Sequence, residues 1–285
     1  MPIVAVILTV LATTVQGAFK KCINSKCKNC EFTVSATITL FALLFFLVFS
    51  NGVTFSPQLL PYCLLFSACY AGAAATYVLA LSCGSLALTQ LVLSYSCIIP
   101  LAYSLLCGEA LGGFQILGIA FLLSSPLVTC LKKSEAAEER RSSLKWAVYV
   151  LLMFLTNGFY GVFMRMQQLA FSGMHDASFM IFSLIPATAI LFLLAFLRER
   201  THMREALKRG ALLSAACGAS NGIANYFGLI CLALIPNSVY YPVTNAGGLV
   251  LTGVMSVLIF KERLTVRQYI GMGLGVLALI FINIS

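Results

Sequence analysis

The chain has 285 residues, of which 60% are hydrophobic and 9% are charged, with a formal net charge of +9. Its mean hydropathy is +0.97. A soluble globular domain carries roughly 25% charged residues, so this chain cannot cover a surface that faces water. The composition therefore excludes a soluble domain and predicts a protein that is solvated by lipid.

Apolar stretches fill almost the whole chain, and a helix needs about 20 such residues to cross a bilayer. In chain order the ten candidates lie at 2–19, 33–49, 59–81, 85–106, 113–131, 146–170, 177–197, 209–234, 238–260 and 266–284. The apolar runs are continuous rather than alternating, which favours helices over strands. We therefore predict an all-α integral membrane protein with ten transmembrane helices.

The two halves of the chain resemble each other. At an offset of 153 positions a polar pattern repeats, with Glu109, Leu111, Gln115 and Gly118 matching Glu262, Leu264, Gln268 and Gly271. Each half holds five spans, and because five is odd, two like halves in series must point in opposite directions across the membrane. This predicts two inverted five-helix repeats at 1–131 and 146–285, joined by a polar linker at 132–145. Transporters commonly bind substrate between such repeats; a duplicated scaffold without a pathway is the alternative.

Basic residues fall almost entirely on one side of this topology. The five odd-numbered connections hold 17 of the 18 Lys and Arg residues, and Arg165 is the exception. The positive-inside rule places those connections in the cytoplasm. We therefore predict a multi-pass protein of the plasma membrane with both termini on the outer side. Arg165 either snorkels to the lipid headgroups or steers an anion into a cavity.

Polar side chains at membrane depth mark either helix contacts or a pathway. Pairs four residues apart share a helix face, such as Asn221 with Asn225 and Tyr241 with Asn245. We predict that one cavity between the halves binds substrate through Gln16, Tyr77, Gln90, Tyr95, Asn157, Tyr160, Asn221, Asn225, Tyr226, Tyr241 and Asn245. Hydrogen bonding between helices without any ligand is the alternative. Glycine pairs such as Gly218 and Gly222 have the spacing of close helix contacts.

The ionisable residues lie at span ends or in connections, which argues against a proton relay and against a strongly cationic substrate. We predict a carrier that moves a small neutral or zwitterionic metabolite by alternating access. A multidrug exporter for apolar cations and a scaffold without transport are the alternatives. The chain shows no constellation typical of an enzyme, and we expect no cofactor.

Other partners are limited by the same reasoning. Cys22, Cys27 and Cys30 lack a fourth ligand close by, so no metal site is predicted. The basic residues are scattered over separate connections, so no nucleic-acid partner is predicted. The expected partners are a small-molecule substrate and the lipid bilayer, and the expected state is a monomer or a homodimer.

The ends of both halves carry a family resemblance. Gly108-Glu109-Ala110-Leu111 with Gln115 and Gly118, and Lys261-Glu262-Arg263-Leu264 with Gln268 and Gly271, resemble the drug/metabolite transporter (DMT) superfamily, in particular its EamA-like members. The resemblance implies a helical bundle whose central cavity is lined by spans one, three, four, six, eight and nine, with spans five and ten more peripheral. It also implies export or exchange of small metabolites. Related small multidrug resistance proteins carry a glutamate in the first span of each unit, where this chain has Gln16 and Tyr160.

Overall fold

The computed structural model describes residues 2–26, 30–50, 52–83, 89, 92–93, 95–108, 112–130, 143–171, 175–258 and 266–283. Every regular element in these ranges is helical. The helices are α1 (Pro2–Lys26), α2 (Glu31–Phe49), α3 (Leu60–Cys83), α4 (Ile98–Leu106), α5 (Gly113–Cys130), α6 (Ser143–Phe171), α7 (Asp176–Leu234), α8 (Asn237–Leu258) and α9 (Val266–Asn283). A single 3-10 turn, Pro57–Leu59, leads into α3.

The prediction of an all-helical membrane protein is confirmed for the described part of the chain. Six helical stretches there are long and apolar enough to cross a bilayer, and two shorter apolar ones lie at Gly113–Ser125 and Tyr269–Ile282. Helices match the predicted spans two, three, five, six, nine and ten to within a few residues, and α1 begins with predicted span one but continues past residue 19 to Lys26. Of predicted span four, residues 85–88, 90–91 and 94 lie outside the described residues, as does the linker at 132–142, and the described end of the span forms α4.

Predicted spans seven and eight both lie in α7, which consists of two helices joined at a kink, so the break predicted between them falls at Glu199 without a loop. A straight helix of 59 residues would be about 90 Å long, three times the thickness of the hydrocarbon core. Instead Glu199 leaves the helical conformation, with φ −124° and ψ 18°. Phe179 and Leu232, from opposite ends of α7, belong to the same buried cluster. The element therefore folds back at Glu199 into a first arm and a second arm.

The bend in α7 is fixed by a buried carboxylate. Glu199 is only 6% exposed, and its two oxygens accept the backbone N–H groups of Phe32 and Thr33, each at 2.8 Å. One of them also accepts the Thr33 hydroxyl at 2.7 Å. These N–H groups belong to the first turn of α2, where no intrahelical acceptor exists and where the helix dipole favours negative charge. Glu199 thus caps α2 from a distant part of the chain.

Replacing this cap is expected to cost stability. Glu199→Ala leaves two backbone N–H groups and one hydroxyl without their acceptor, so we expect the free energy of unfolding to fall by about 2 kcal/mol. The measurement is the Tm of the purified full-length chain in detergent. Glu205→Ala removes an exposed carboxylate from the same element and is the control. Equal Tm values for the two variants would contradict the capping role.

Helix α2 packs along α7 at very short range. A Cβ atom built on Gly218 would lie 2.6 Å from the carbonyl oxygen of Ile38, and one on Gly222 would lie 2.5 Å from Phe45 Cδ1. Any larger residue at Gly218 would therefore push against backbone rather than against a movable side chain. The predicted helix-contact spacing of these two glycines is confirmed, and together with the Glu199 cap it joins α2 and α7 into one unit.

The two ends of the bundle are packed differently. The end where α1 begins, called here the Pro2 end, holds one buried cluster to which α1, α2, α3, α6, both arms of α7 and α8 all contribute. At the opposite end, called the Glu199 end, two clusters are separate among the described residues. One joins α1, α2 and α7 around Ile23 and Cys217, and the other joins α3 and α6 around Ala80 and Met153.

Helices α5 and α9 form a pair beside this bundle. A Cβ atom on Gly118 would lie 2.6 Å from Ile282 Cγ1, and the Ser125 hydroxyl donates to the Gly271 carbonyl at 2.7 Å. The pair packs mainly on α8. This agrees with the expectation that spans five and ten are peripheral, and it leaves α1, α3, α6, α7 and α8 to surround the centre.

Candidate functional site

An amide and phenol network lies at the centre of the bundle. Asn221, in the second arm of α7, donates from Nδ2 to the Tyr70 hydroxyl of α3 at 3.1 Å. Asn225, one turn further on, donates from Nδ2 to the Asn221 backbone carbonyl at 2.9 Å and also to Asn221 Oδ1. The structure therefore brings the predicted pair Asn221 and Asn225 together and links it to the first half of the chain through Tyr70.

Aromatic rings surround this network toward the Pro2 end. The Tyr160 ring of α6 packs edge-on against Tyr70 and Phe66, with centroid distances of 6.2 and 5.8 Å. The Tyr241 hydroxyl of α8 donates to the Gly161 carbonyl at 2.9 Å. Helix α8 can approach so closely because residue 161 has no side chain. Tyr160 and Tyr241 thus seal α6 against α3 and α8.

One face of α8 runs from this seal toward the Glu199 end. Tyr241, Asn245, Gly248 and Thr252 follow one another at helical spacing and so share that face. Asn245 Nδ2 donates to the Tyr241 carbonyl at 3.0 Å. A Cβ atom on Gly248 would meet nothing within 4 Å, and Thr252 is exposed. The face therefore changes from packed to open along its length.

Asn157 and Tyr95 form hydrogen bonds between other helices and do not take part in the central network. Asn157 Nδ2 donates to the Ser96 hydroxyl just before α4, and the Ser96 hydroxyl in turn donates to the Leu93 carbonyl at 2.7 Å. The Tyr95 hydroxyl donates to the Leu123 carbonyl of α5 at 2.7 Å. Asn157 thus ties α6 to the segment before α4, and Tyr95 ties that segment to the peripheral pair.

The remaining predicted residues are spread more widely. Tyr77 packs against the cluster of α3 and α6 at the Glu199 end. Tyr226 is 41% exposed and packs edge-on against Phe227. Gln16 is half-buried, and its backbone carbonyl lies 3.6 Å from Cys217 Sγ. Gln90 lies outside the described residues.

The chemistry of this centre is uncharged hydrogen bonding. Amides and phenols can donate and accept at once, so they can orient a polar ligand without a fixed charge. Among the described residues no group of three or more His, Cys, Asp or Glu side chains could hold a metal ion. Of the three cysteines considered for a metal, Cys30 is buried and Cys22 half-buried, while Cys27 lies outside the described residues.

Two residues of the site were not selected from the sequence. Tyr70 is a polar residue of span three, but only packing shows that it meets Asn221. Asn237 begins α8 and is fully buried, at 0% exposure, with no hydrogen-bond partner for Nδ2 or Oδ1. Its place after Ile235-Pro236 made it look like part of an ordinary break between spans.

Arg165 lies on the same end of the bundle. Its Nη1 atom donates to the Leu232 carbonyl, in the last turn of α7. The last carbonyls of a helix have no intrahelical donor, and a cation is favourable there. The described contact is therefore made within the protein.

The seal between α6 and α8 gives a sharp prediction. A Cβ atom at residue 161 would lie 2.7 Å from the Tyr241 hydroxyl but 3.1 Å from the next atom of that ring. We therefore expect Gly161→Ala to lower Tm by several degrees, since overpacking typically costs about 1–3 kcal/mol. Tyr241→Phe in the same chain removes the clashing oxygen and should recover part of that loss.

Gly17→Ala is the control, because a Cβ atom there meets nothing within 4 Å. If Gly161→Ala leaves Tm unchanged, or if the double variant is no more stable than Gly161→Ala alone, the close contact between Tyr241 and Gly161 is wrong.

Comparison with known proteins agrees with this architecture. Residues 144–284 match the EamA-like transporter family. A solved structure, described only as a protein crystal structure, superposes with a TM-score of 0.79, covering 99% of this chain and 96% of that chain at 16% identity. At that identity the likeness shows the fold alone. The comparison with curated proteins found no match.

The apolar helices define a multi-pass membrane protein, and the family match indicates the transporter class. The resemblance seen in the sequence is confirmed: residues 144–284 match the EamA-like transporter family, which belongs to the DMT superfamily.

Proposed function

We propose that this protein is a secondary carrier that moves a small neutral or zwitterionic metabolite across the plasma membrane by alternating access. The observation that carries the proposal is the uncharged network of Tyr70, Asn221 and Asn225, which joins helices of the two halves at the centre of the bundle. Amides and phenols there would orient the polar groups of a substrate, while Phe66 and Tyr160 would shape its apolar part.

The helix pairing supports two inverted repeats at 1–131 and 146–285. The second arm of α7, which is the third span of the second half, packs on α1, and α3, the third span of the first half, packs on α6. In the same way α8 packs on α1, and α4 packs on α6. Each first span therefore contacts the third and fourth spans of the opposite half, as expected when one unit is related to the other by a pseudo-two-fold axis.

The unequal ends of the bundle support alternating access. The Pro2 end is closed by one cluster shared by helices of both halves, whereas among the described residues the clusters at the Glu199 end are separate. Gly17 of α1 and Gly248 of α8 face open space on that side of the centre. The basic residues predict that the Pro2 end lies outside. In that orientation the arrangement corresponds to a carrier conformation that is closed to the exterior and open toward the cytoplasm.

A reporter fused after Ser285 tests the orientation. We expect it to be active on the outer side of the plasma membrane, because 17 of the 18 basic residues lie on connections assigned to the cytoplasm. An internal reporter placed in the linker at 132–145 should give the opposite result. Reporter activity from Ser285 in the cytoplasm would overturn either the orientation or the number of spans.

Flux into sealed proteoliposomes tests the activity. The purified chain should move members of a panel of neutral and zwitterionic metabolites, and replacing both Asn221 and Asn225 by Ala should lower their kcat/KM by about tenfold through lost hydrogen bonds. Transport of an apolar cationic dye should change less, because cation–π contacts with tyrosine would carry its binding. Tyr269→Phe, which alters a residue of the peripheral helix α9 that is 55% exposed, is the control.

Three results would change the proposal. Equal loss of dye and metabolite flux would remove the distinction between a metabolite carrier and a multidrug exporter. Preferential loss of dye flux would favour the exporter. Absence of flux for every compound, in vesicles with correctly inserted protein, would favour a membrane scaffold.

A further inference from the structure

The bend of α7 carries a row of exposed basic side chains. Arg200, Arg204 and Lys208 follow one another four residues apart at the start of the second arm, so they share one face of the helix. All three are exposed. The Arg200 Cζ atom lies 5.1 Å from the centroid of the Phe196 ring. Among the described residues no hydrogen bond or ion pair engages Arg204 or Lys208. These three residues are called here the basic row.

The basic row faces away from the helices that pack on it. Ala206 is buried and belongs to the cluster that contains Ile23 of α1 and Cys30, directly before α2. A helix turns by about 100° per residue, so Arg204 and Lys208 each lie about 160° around the helix from Ala206. The basic row is therefore on the side of α7 opposite to its contact with α1 and α2.

The basic row lies at the level of the membrane surface. The first arm of α7 runs from Asp176 to the bend, and up to Arg198 it is about 34 Å long, close to the roughly 30 Å of the hydrocarbon core. Its end therefore reaches the lipid headgroups. The second arm begins at the same level, since the His202 carbonyl lies 3.8 Å from Cys30 Sγ.

Exposed apolar side chains flank the basic row on both arms. Phe196 and Leu197, at the end of the first arm, are 50% and 68% exposed. Leu212, one turn after Lys208, is 84% exposed. At the boundary between headgroups and acyl chains such side chains enter the apolar layer while basic ones stay with the headgroups. A phospholipid matches both parts of this surface, whereas a soluble acidic partner matches the basic row alone.

The charge of this segment is unbalanced. Residues 198–209 contain five basic and two acidic residues, which leaves a net charge of +3. Glu199 is buried at the first turn of α2 and accepts its hydrogen bonds there. Glu205 is exposed, but it is turned by about 100° from Arg204 and so lies beside the basic row. The segment therefore attracts anions.

We propose that the basic row binds the phosphate groups of anionic phospholipids, while the exposed apolar side chains of α7 contact their acyl chains. The planar fork of an arginine can hold two oxygens of one phosphate, and Lys208 adds a point charge. With the Glu199 end in the cytoplasm, these lipids belong to the inner leaflet, whose surface is negative. The bound lipid contacts both arms of α7 and so stabilises the bend. This inference goes beyond the proposed function, because it does not depend on transport.

The first measurement is the Tm of the purified full-length chain in detergent. The probes are phosphatidylglycerol and phosphatidylcholine with the same acyl chains. We expect phosphatidylglycerol to raise Tm at a concentration at least tenfold lower than phosphatidylcholine does, because only its headgroup has a net negative charge. High salt should reduce this difference. Equal effects of the two lipids would overturn the inference.

The second measurement compares two double variants with the same change in charge. Arg204→Gln with Lys208→Gln removes two exposed members of the basic row, and the concentration of phosphatidylglycerol that gives half the Tm shift should rise about tenfold or more. Lys20→Gln with Lys145→Gln is the matched control, because it removes two exposed lysines of α1 and α6 at the same end of the bundle. The control should respond like the unchanged chain. Equal loss in both double variants would mean that only the overall charge matters and would overturn the site.

Soluble probes separate a lipid from other anions. Glycerophosphoglycerol carries the same headgroup without acyl chains, and polyglutamate presents the carboxylates of an acidic protein. We expect neither to raise Tm at the concentrations at which phosphatidylglycerol acts. An equal response to glycerophosphoglycerol would assign the basic row to free phosphate compounds. An equal response to polyglutamate would assign it to an acidic protein, and either result would overturn the lipid assignment.

Discussion

The hydrocarbon core offers no water, so every polar group within it must find its partner in the protein. Most hydroxyl groups meet this constraint locally. Thr9, Thr14 and Thr37 each donate to the carbonyl four residues earlier in their own helix, at 2.6–2.8 Å. Such bonds need no neighbouring helix and say nothing about function. The groups that reach across helices are therefore the ones that describe the architecture and its chemistry.

Cross-helix bonds of this kind join the two halves of the chain. Tyr70 meets Asn221, and Ser96 meets Asn157, in both cases pairing a residue before the linker with one after it. Because an amide has two donors and an acceptor with two lone pairs, it can form a hydrogen bond with its neighbour and another with a ligand. The phenol hydroxyl of Tyr70 can likewise donate one hydrogen bond and accept another. An interior built in this way offers hydrogen-bond donors and acceptors without a fixed charge.

The sequence was enough to predict what depends on composition and local spacing, and not what depends on packing. Hydropathy located nearly all the helices because lipid solvates every span alike. It placed the break between spans seven and eight around Glu199, where α7 bends, but it did not predict that this carboxylate is buried against α2. Asn221 and Asn225 could be paired because they share a turn. The partner Tyr70, the diversion of Tyr95 to α5 and the buried amide of Asn237 depend on helix rotation, which no local pattern fixes.

The cap on α2 also bears on biogenesis. Phe32 and its acceptor Glu199 are separated by 167 positions in the chain. Synthesis is sequential, so the first turn of α2 is made long before its acceptor leaves the ribosome. During that interval interfacial water or lipid headgroups must accept hydrogen bonds from the exposed N–H groups. The first half of the chain therefore reaches its final form only after the second half has begun to insert, and the two halves mature together.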